Sequence, residues 1–130
     1  MIQIKDVTKL YPAKESGNES GGGKEKESGA IHALDHISLD VAPGEWLSIM
    51  GPSGSGKSTL VNLIGCLDRP SSGQIWLDGV NVAGLSSAEL DRVRAEKIGF
   101  IFQQFHLIPF LTAVENVMLA QYFHSMTDEQ

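Results

Sequence analysis

The chain has 130 residues, enough for one ordinary domain, and its apolar fraction of 42 % can supply a core without any compositional sign of general disorder. A net charge of −6 argues against a surface for nucleic acid or anionic lipid. No apolar run approaches membrane-spanning length and the N-terminus reads as a mixed strand, not a signal segment, so any membrane connection is expected through a partner rather than by direct insertion.

Ile2 to Val7 alternates partly, like a half-buried strand, and Tyr11-Pro12 ends that segment. Residues 13–29 hold one apolar side chain and a glycine triplet, which is the composition of a flexible, solvated loop. The alternating charges from Lys24 to Glu27 suit solvent better than a docking site. Ile31 to Val41 reads as a second strand, and Ala42-Pro43-Gly44-Glu45 as the turn that follows. Two early strands joined by a loop suggest an antiparallel pair. Trp46 to Met50 is a short, mostly apolar run of strand character.

The next stretch carries the chemistry. Gly51-Pro52-Ser53-Gly54-Ser55-Gly56-Lys57-Ser58-Thr59 fits the phosphate-loop pattern G-x-x-x-x-G-K-[ST]. Glycines at 51, 54 and 56 let the backbone curl so that N–H groups from Gly54 to Thr59, including those of Ser55 and the residues beyond Ser53, turn inward toward phosphate oxygens. A helix starting near Lys57 adds its positive end at the same point. Lys57 supplies a mobile cation for β- and γ-phosphates, and the Ser58 hydroxyl a ligand for Mg²⁺. The plain alternative, a Gly/Ser-rich turn, does not explain the apolar run before the loop or Leu60, Leu63, Ile64 and Leu67 at helical spacing after it. A nucleotide-phosphate site is the reading.

Cys66 is expected within that helix, as a small buried apolar residue in a reducing compartment. Asp68 to Gly73 is a break, and Gln74 to Gly79 a short strand with a turn. Ser86-x-x-Glu89 is a capping box, with Leu85 and Leu90 placed for a hydrophobic staple, opening a polar helix to about Lys97. Ile98-Gly99-Phe100-Ile101-Phe102 reads as a strand buried on both faces. Thr112-x-x-Glu115 is a second capping box, opening a helix through Val117 and Leu119, and Thr127 to Gln130 reads as a further helix start or an ordinary tail. The four histidines do not make a metal site: His32 and His36 are about 13 Å apart on a strand, while His106 and His124 lack cysteines or carboxylates at ligand spacing.

The order of these motifs narrows the class. Tyr11, His32-Ala33-Leu34, the loop from Gly51 to Thr59, Gly65-Cys66-Leu67-Asp68 with Pro70-x-x-Gly73, and Ile98 to Gln104 together resemble the ATPase subunit of an ABC transporter. The region Gln103-Gln104-Phe105-His106-Leu107-Ile108-Pro109, followed by Leu111 to Val117, resembles the lipoprotein-release and macrolide-export branch. The resemblance covers nearly everything except residues 13–29, a loop longer than is usual there. It implies an α/β fold, with a P-loop NTPase core of mostly parallel sheet and flanking helices beside an N-terminal antiparallel β subdomain, and residues 1–130 as part of one nucleotide-binding domain.

The resemblance also implies roles. Tyr11 stacks on adenine, as against an ordinary strand-end tyrosine; the loop and Lys57 hold the phosphates of ATP; Ser58 and Gln103 ligate Mg²⁺, with Gln103 placing the attacking water. A neutral amide can ligate a hard cation without adding charge. Gln104 is read as a neighbour without direct contact. Phe105 to Phe110 is either core or the groove that receives a helix of the membrane subunit. Implied partners are a transmembrane permease and a second ATPase subunit, in a cytoplasmic assembly on the inner face of the membrane.

Within these residues there is no Leu-Ser-Gly-Gly-Gln signature, no apolar strand ending Asp-Glu, and no matching switch histidine, so the chain looks like the front half of an ABC ATPase. Strands of the parallel sheet are then expected to lack neighbours, leaving apolar edges exposed and the chain prone to associate. A truncated module that binds ATP·Mg²⁺ without turnover, or regulates a full-length relative, is the alternative function. A DNA-repair or chromosome ATPase fits poorly with the short helix from Thr112 and the acidic charge.

Overall fold

In the computed structural model, residues 1–12 and 29–125 are described. Two compact units divide the chain, Met1–Leu85 and Ser86–Gln130. The first holds a four-stranded antiparallel sheet of order β2-β1-β3-β4, with β1 Ile2–Tyr11, β2 Ile31–Val41, β3 Ser72–Leu77 and β4 Val80–Asn81. Helix α1, Lys57–Ile64, belongs to the same unit. The expected antiparallel pair is β1 with β2, running from Ile2 opposite Val41 to Tyr11 opposite Ile31.

The partial alternation of β1 has a cause. Ile4 is buried, and so are Val7 and Lys9, so the inward parity switches from even to odd positions. Asp6 makes the switch, with φ 53, and His36 does the same in β2, with φ 50, between buried Leu34 and Val41. Both sit where the β1–β2 register shifts. Such bulges leave amides without ladder partners. Here the Asp6 amide donates to Ser38 Oγ at 3.0 Å and the His36 amide to Thr8 Oγ1 at 3.2 Å. The core of the unit is then closed by Ile4, Val7, Leu34, Ile75 and Leu77 of the sheet and Leu60 and Leu63 of α1.

Between β3 and β4 the chain reverses on Asp78 and Gly79, with φ 46 and 81, the pair of positive angles a two-residue hairpin favours. The N-terminal ammonium lies 2.6 Å from Asp78 Oδ1. Helix α1 ends sooner than its apolar spacing suggests. Cys66 is not inside it but just beyond, in a left-handed conformation with φ 56. Its amide donates to Leu63 O at 3.1 Å and that of Leu67 to Asn62 O at 2.9 Å, the closure of a Schellman motif. Cys66 remains buried, whereas Leu67 is exposed.

Two expected strands form no ladder among the described residues. Trp46 to Met50 and Ile98 to Phe102 lie outside every element, with Trp46 99 % exposed and Ile101 fully so. Apolar composition selects a buried strand only when neighbouring strands supply hydrogen bonds and cover both faces. None does so here. Ile98 to Phe102 is therefore not buried on both faces.

The second unit contains α2, Ser87–Lys97, and α3, Ala113–Ser125. Both capping boxes are present. Ser86 Oγ accepts from the Glu89 amide while Glu89 returns to the Ser86 amide at 2.7 Å, and Thr112 and Glu115 do the same, the carboxylate at 2.7 Å. Leu90 and Val93 are buried on α2. Ahead of α3, Asn116 holds the incoming loop: its Oδ1 accepts from the Ile108 amide at 2.8 Å, and its Nδ2 donates to Ile108 O, Leu111 O and Thr112 O. Asn116→Ala is expected to cost about 1–3 kcal/mol locally. Hydrogen exchange should show the Ile108 amide losing protection while α2 amides keep theirs. Among the described residues, no helix is long and apolar enough to cross a membrane.

Candidate functional site

The loop from Gly51 to Thr59 is shaped by its glycines. Gly54 and Gly56 have φ of 81 and 85, a region unfavourable to side-chain-bearing residues. Gly56 is also the N-cap of α1, and a Cβ there would lie 2.4 Å from the carbonyl oxygen of Ala33 and 2.9 Å from Leu34 Cδ2. The end of the loop is thus pressed onto β2. At the other end, a Cβ on Gly51 would meet Ser55 Oγ at 2.7 Å. Ser55 closes the turn by donating its amide to Pro52 O at 3.3 Å.

Helix α1 begins with no side-chain cap and no acidic residue in its first turn. Its leading N–H groups and dipole are therefore directed at the loop without a side chain of the chain itself to satisfy them. Lys57 reaches back over the loop, its Nζ donating to Gly51 O at 2.8 Å, Pro52 O at 2.6 Å and Ser55 Oγ at 3.3 Å. Ser53, Gly54, Ser55 and Ser58 are exposed, while Leu60 and Leu63 anchor the helix beneath them. Backbone donors, an ammonium and hydroxyls on one concave turn fit a polyphosphate. The Ser58 hydroxyl is a hard oxygen donor suited to Mg²⁺. No group of three or more histidine, cysteine, aspartate or glutamate side chains could hold a metal among the described residues.

Tyr11 belongs to the same unit and is held by a network the sequence reading missed. Its hydroxyl donates to Asp68 Oδ2 at 2.7 Å. Lys9 Nζ donates to Asp68 Oδ1 and to Arg69 O, both at 2.7 Å, and lies 4.8 Å from the Tyr11 ring centroid. The hydrogen bond to Asp68 raises the Tyr11 pKa, burial and the carboxylate charge add to it, and the Thr59 hydroxyl acts against them on the same phenol. For Asp68, burial alone would raise the pKa; hydrogen bonds from Lys9, Tyr11 and the Arg69 amide, with the Lys9 charge, outweigh it and lower it. The sequence gives no signal for it: only the folded strand shows Lys9 to be buried, 9 % exposed, and so to require an acceptor.

A lowered native pKa means that the folded state binds the Asp68 proton less readily than the unfolded chain. Its contribution is complete above the ordinary carboxylate value of 3.8 and is lost as pH falls below that, through the lowered native value. Asp68→Asn is expected to flatten that acid limb in a pH series of denaturant melts.

Gln103 and Gln104 lie in the second unit, both exposed, in the segment after Phe102. There the Phe100 and Phe102 rings stack at 5.4 Å, and His106 meets Phe102 edge-on at 4.8 Å. His36 is an exposed partner of Asp6, Nδ1 to Oδ1 2.7 Å, and its pKa is raised by that hydrogen bond and by the charges of Asp6 and Asp35. His32 faces Asp35 at 3.9 Å. The expected loop over residues 13–29 falls outside the described residues except for Gly29, as does the helix start at Thr127.

The sheet, the uncapped helix and the lysine over its own loop make an α/β unit with the geometry of a phosphate loop. Residues 34–130 match the family described as ABC transporter, and the chain belongs to that family. It is 47 % identical over 123 residues to an uncharacterized ABC transporter ATP-binding protein of Methanocaldococcus jannaschii, MJ0796, covering 95 % of this chain and 47 % of that protein. It is 44 % identical over 117 residues to the macrolide export ATP-binding/permease protein MacB 1/2 of Paracoccus denitrificans, covering 90 % of this chain and 16 % of that one. Among solved structures it is similar to the dimeric post-hydrolysis state of the ATP-binding cassette MJ0796 bound to ADP and Pi, with TM-score 0.80 and 46 % identity over 95 % of this chain and 48 % of that chain. The fold is that of an ABC ATPase cassette in part. The chain spans about half the length of the ATP-binding relative from Methanocaldococcus.

Proposed function

We propose that residues 1–130 are part of one nucleotide-binding domain that holds ATP with Mg²⁺ and, in the whole protein, couples ATP binding and hydrolysis to a membrane permease. The observation that carries this reading is the Lys57 ammonium lying across Gly51 O and Pro52 O in front of an uncapped helix N-terminus. A polyphosphate attracts that ammonium away from the neutral carbonyls, because a charged acceptor makes the stronger hydrogen bond. The amides from Gly54 to Thr59 then donate to the remaining phosphate oxygens.

In this reading the Ser58 hydroxyl is a ligand of Mg²⁺ and Tyr11 stacks on the adenine, while Gln103 keeps the Mg²⁺ and water-placing role that the family resemblance implies for it. Bound Mg²⁺ supplies neutralisation of the phosphate charge. The family supports a transmembrane permease and a second ATPase subunit as partners, on the cytoplasmic face of a membrane. The macrolide-export relative supports export as the class of transport. Ser58→Ala tests the metal assignment. It is expected to remove most of the gain in ATP affinity that Mg²⁺ gives, leaving metal-free ATP binding about the same. An undiminished Mg²⁺ effect in isothermal titration would overturn the Ser58 role.

A further inference from the structure

Lys9, Asp68 and Tyr11 form one linked cluster within the first unit. Lys9 and Tyr11 are two residues apart on the inward side of β1, and the Lys9 ammonium lies over the Tyr11 ring, 4.8 Å from its centroid. Asp68, in the turn after α1, accepts from both: Lys9 Nζ on Oδ1 and the Tyr11 hydroxyl on Oδ2, each at 2.7 Å. Arg69 O takes a second proton of the same ammonium. Lys9 and Tyr11 belong to β1 and Asp68 and Arg69 to the turn after α1, so the ring is tied to the segment that follows the phosphate-loop helix and not merely carried at the end of a strand.

This arrangement does two things to the ring. The hydroxyl bond to Asp68 restricts rotation of the side chain, so less ordering entropy is lost when a base stacks. The ammonium covers one face of the ring and leaves stacking to the opposite face. We propose that Lys9 and Asp68 are positioning residues for nucleotide-base recognition, clamping Tyr11 so that one ring face is presented at a fixed distance from the phosphate loop. The inference rests on the reading of Tyr11 as the adenine-stacking residue and assigns two residues that act only through it.

The test compares ATP with inorganic tripolyphosphate, which has the phosphates and no base, in titrations of the full 130-residue chain. Tyr11→Ala is expected to weaken ATP about five- to thirtyfold and leave tripolyphosphate unchanged. Asp68→Asn and Lys9→Met are each expected to weaken ATP about three- to tenfold, again with tripolyphosphate unchanged. Retained tripolyphosphate binding reports that the loop is still folded. Tyr11→Phe, which keeps the ring and loses only the hydroxyl, is expected to give a loss similar to Asp68→Asn, with no further loss when the two are combined. If Tyr11→Ala leaves ATP affinity unchanged, the stacking reading fails and the clamp with it. If Tyr11→Ala weakens ATP but Tyr11→Phe, Asp68→Asn and Lys9→Met do not, stacking stands and the clamp is overturned. Equal losses for ATP and tripolyphosphate in Asp68→Asn also overturn it, since the effect then lies in the loop.

Discussion

Lys57→Ala is expected to abolish ATP binding, measured as a loss of at least about a hundredfold in affinity. Lys57 is placed over the loop with a full charge, held by Gly51 O, Pro52 O and Ser55 Oγ. Each hydrogen bond from an ammonium to a phosphate oxygen contributes about 1.5–3 kcal/mol, so losing two accounts for the drop. The fold should survive, because the acceptors released are exposed loop groups that water can satisfy. Titration calorimetry beside a thermal melt separates the two effects. Unchanged affinity with a normal melt would place the nucleotide elsewhere.

Gly56→Ala is expected to damage both binding and stability. The residue has φ 85, where an alanine is strained by about 1 kcal/mol. Its new Cβ would also approach the Ala33 carbonyl oxygen to 2.4 Å. That oxygen belongs to β2, whose register against β1 is fixed through Lys9 opposite Leu34 and Leu10 opposite His32, so it cannot withdraw without disturbing the sheet. The expected cost is about 2–4 kcal/mol, with loss of the loop geometry and of ATP binding. Gly54→Ala makes the comparison sharp: it has φ 81 but nothing within 4 Å of the added Cβ, so only the strain remains. Similar melts for the two variants would show that close approach to β2 is not what Gly56 provides.

Local signals were legible in the sequence wherever a few neighbouring residues determine the structure. Ser86 with Glu89 and Thr112 with Glu115 specify helix starts because each box satisfies its own amides. The glycines around Lys57 specify a tight loop for the same reason. What was not legible depends on distant or subtler partners. Cys66 carries the left-handed cap of α1 without the glycine that usually marks it, Gly65 standing one position early. Asp6 and His36 switch strand parity through matched bulges, visible only when the two strands are paired. Trp46 to Met50 and Ile98 to Phe102 have the composition of buried strands, yet composition does not supply a ladder. Asp68 appeared in the sequence only as the start of a break and as part of a resemblance; its link to Lys9 and Tyr11 joins residues nearly sixty positions apart.

The account rests on the loop from Gly51 to Thr59 as a binding site for a nucleotide polyphosphate. Backbone amide signals recorded by NMR during titration with ATP·Mg²⁺ test it most directly. The account predicts that the amides of Gly54 to Thr59 shift together and more than those of α2, with one shared affinity. ATP that binds while those amides stay unmoved, or moves only residues elsewhere, would contradict it.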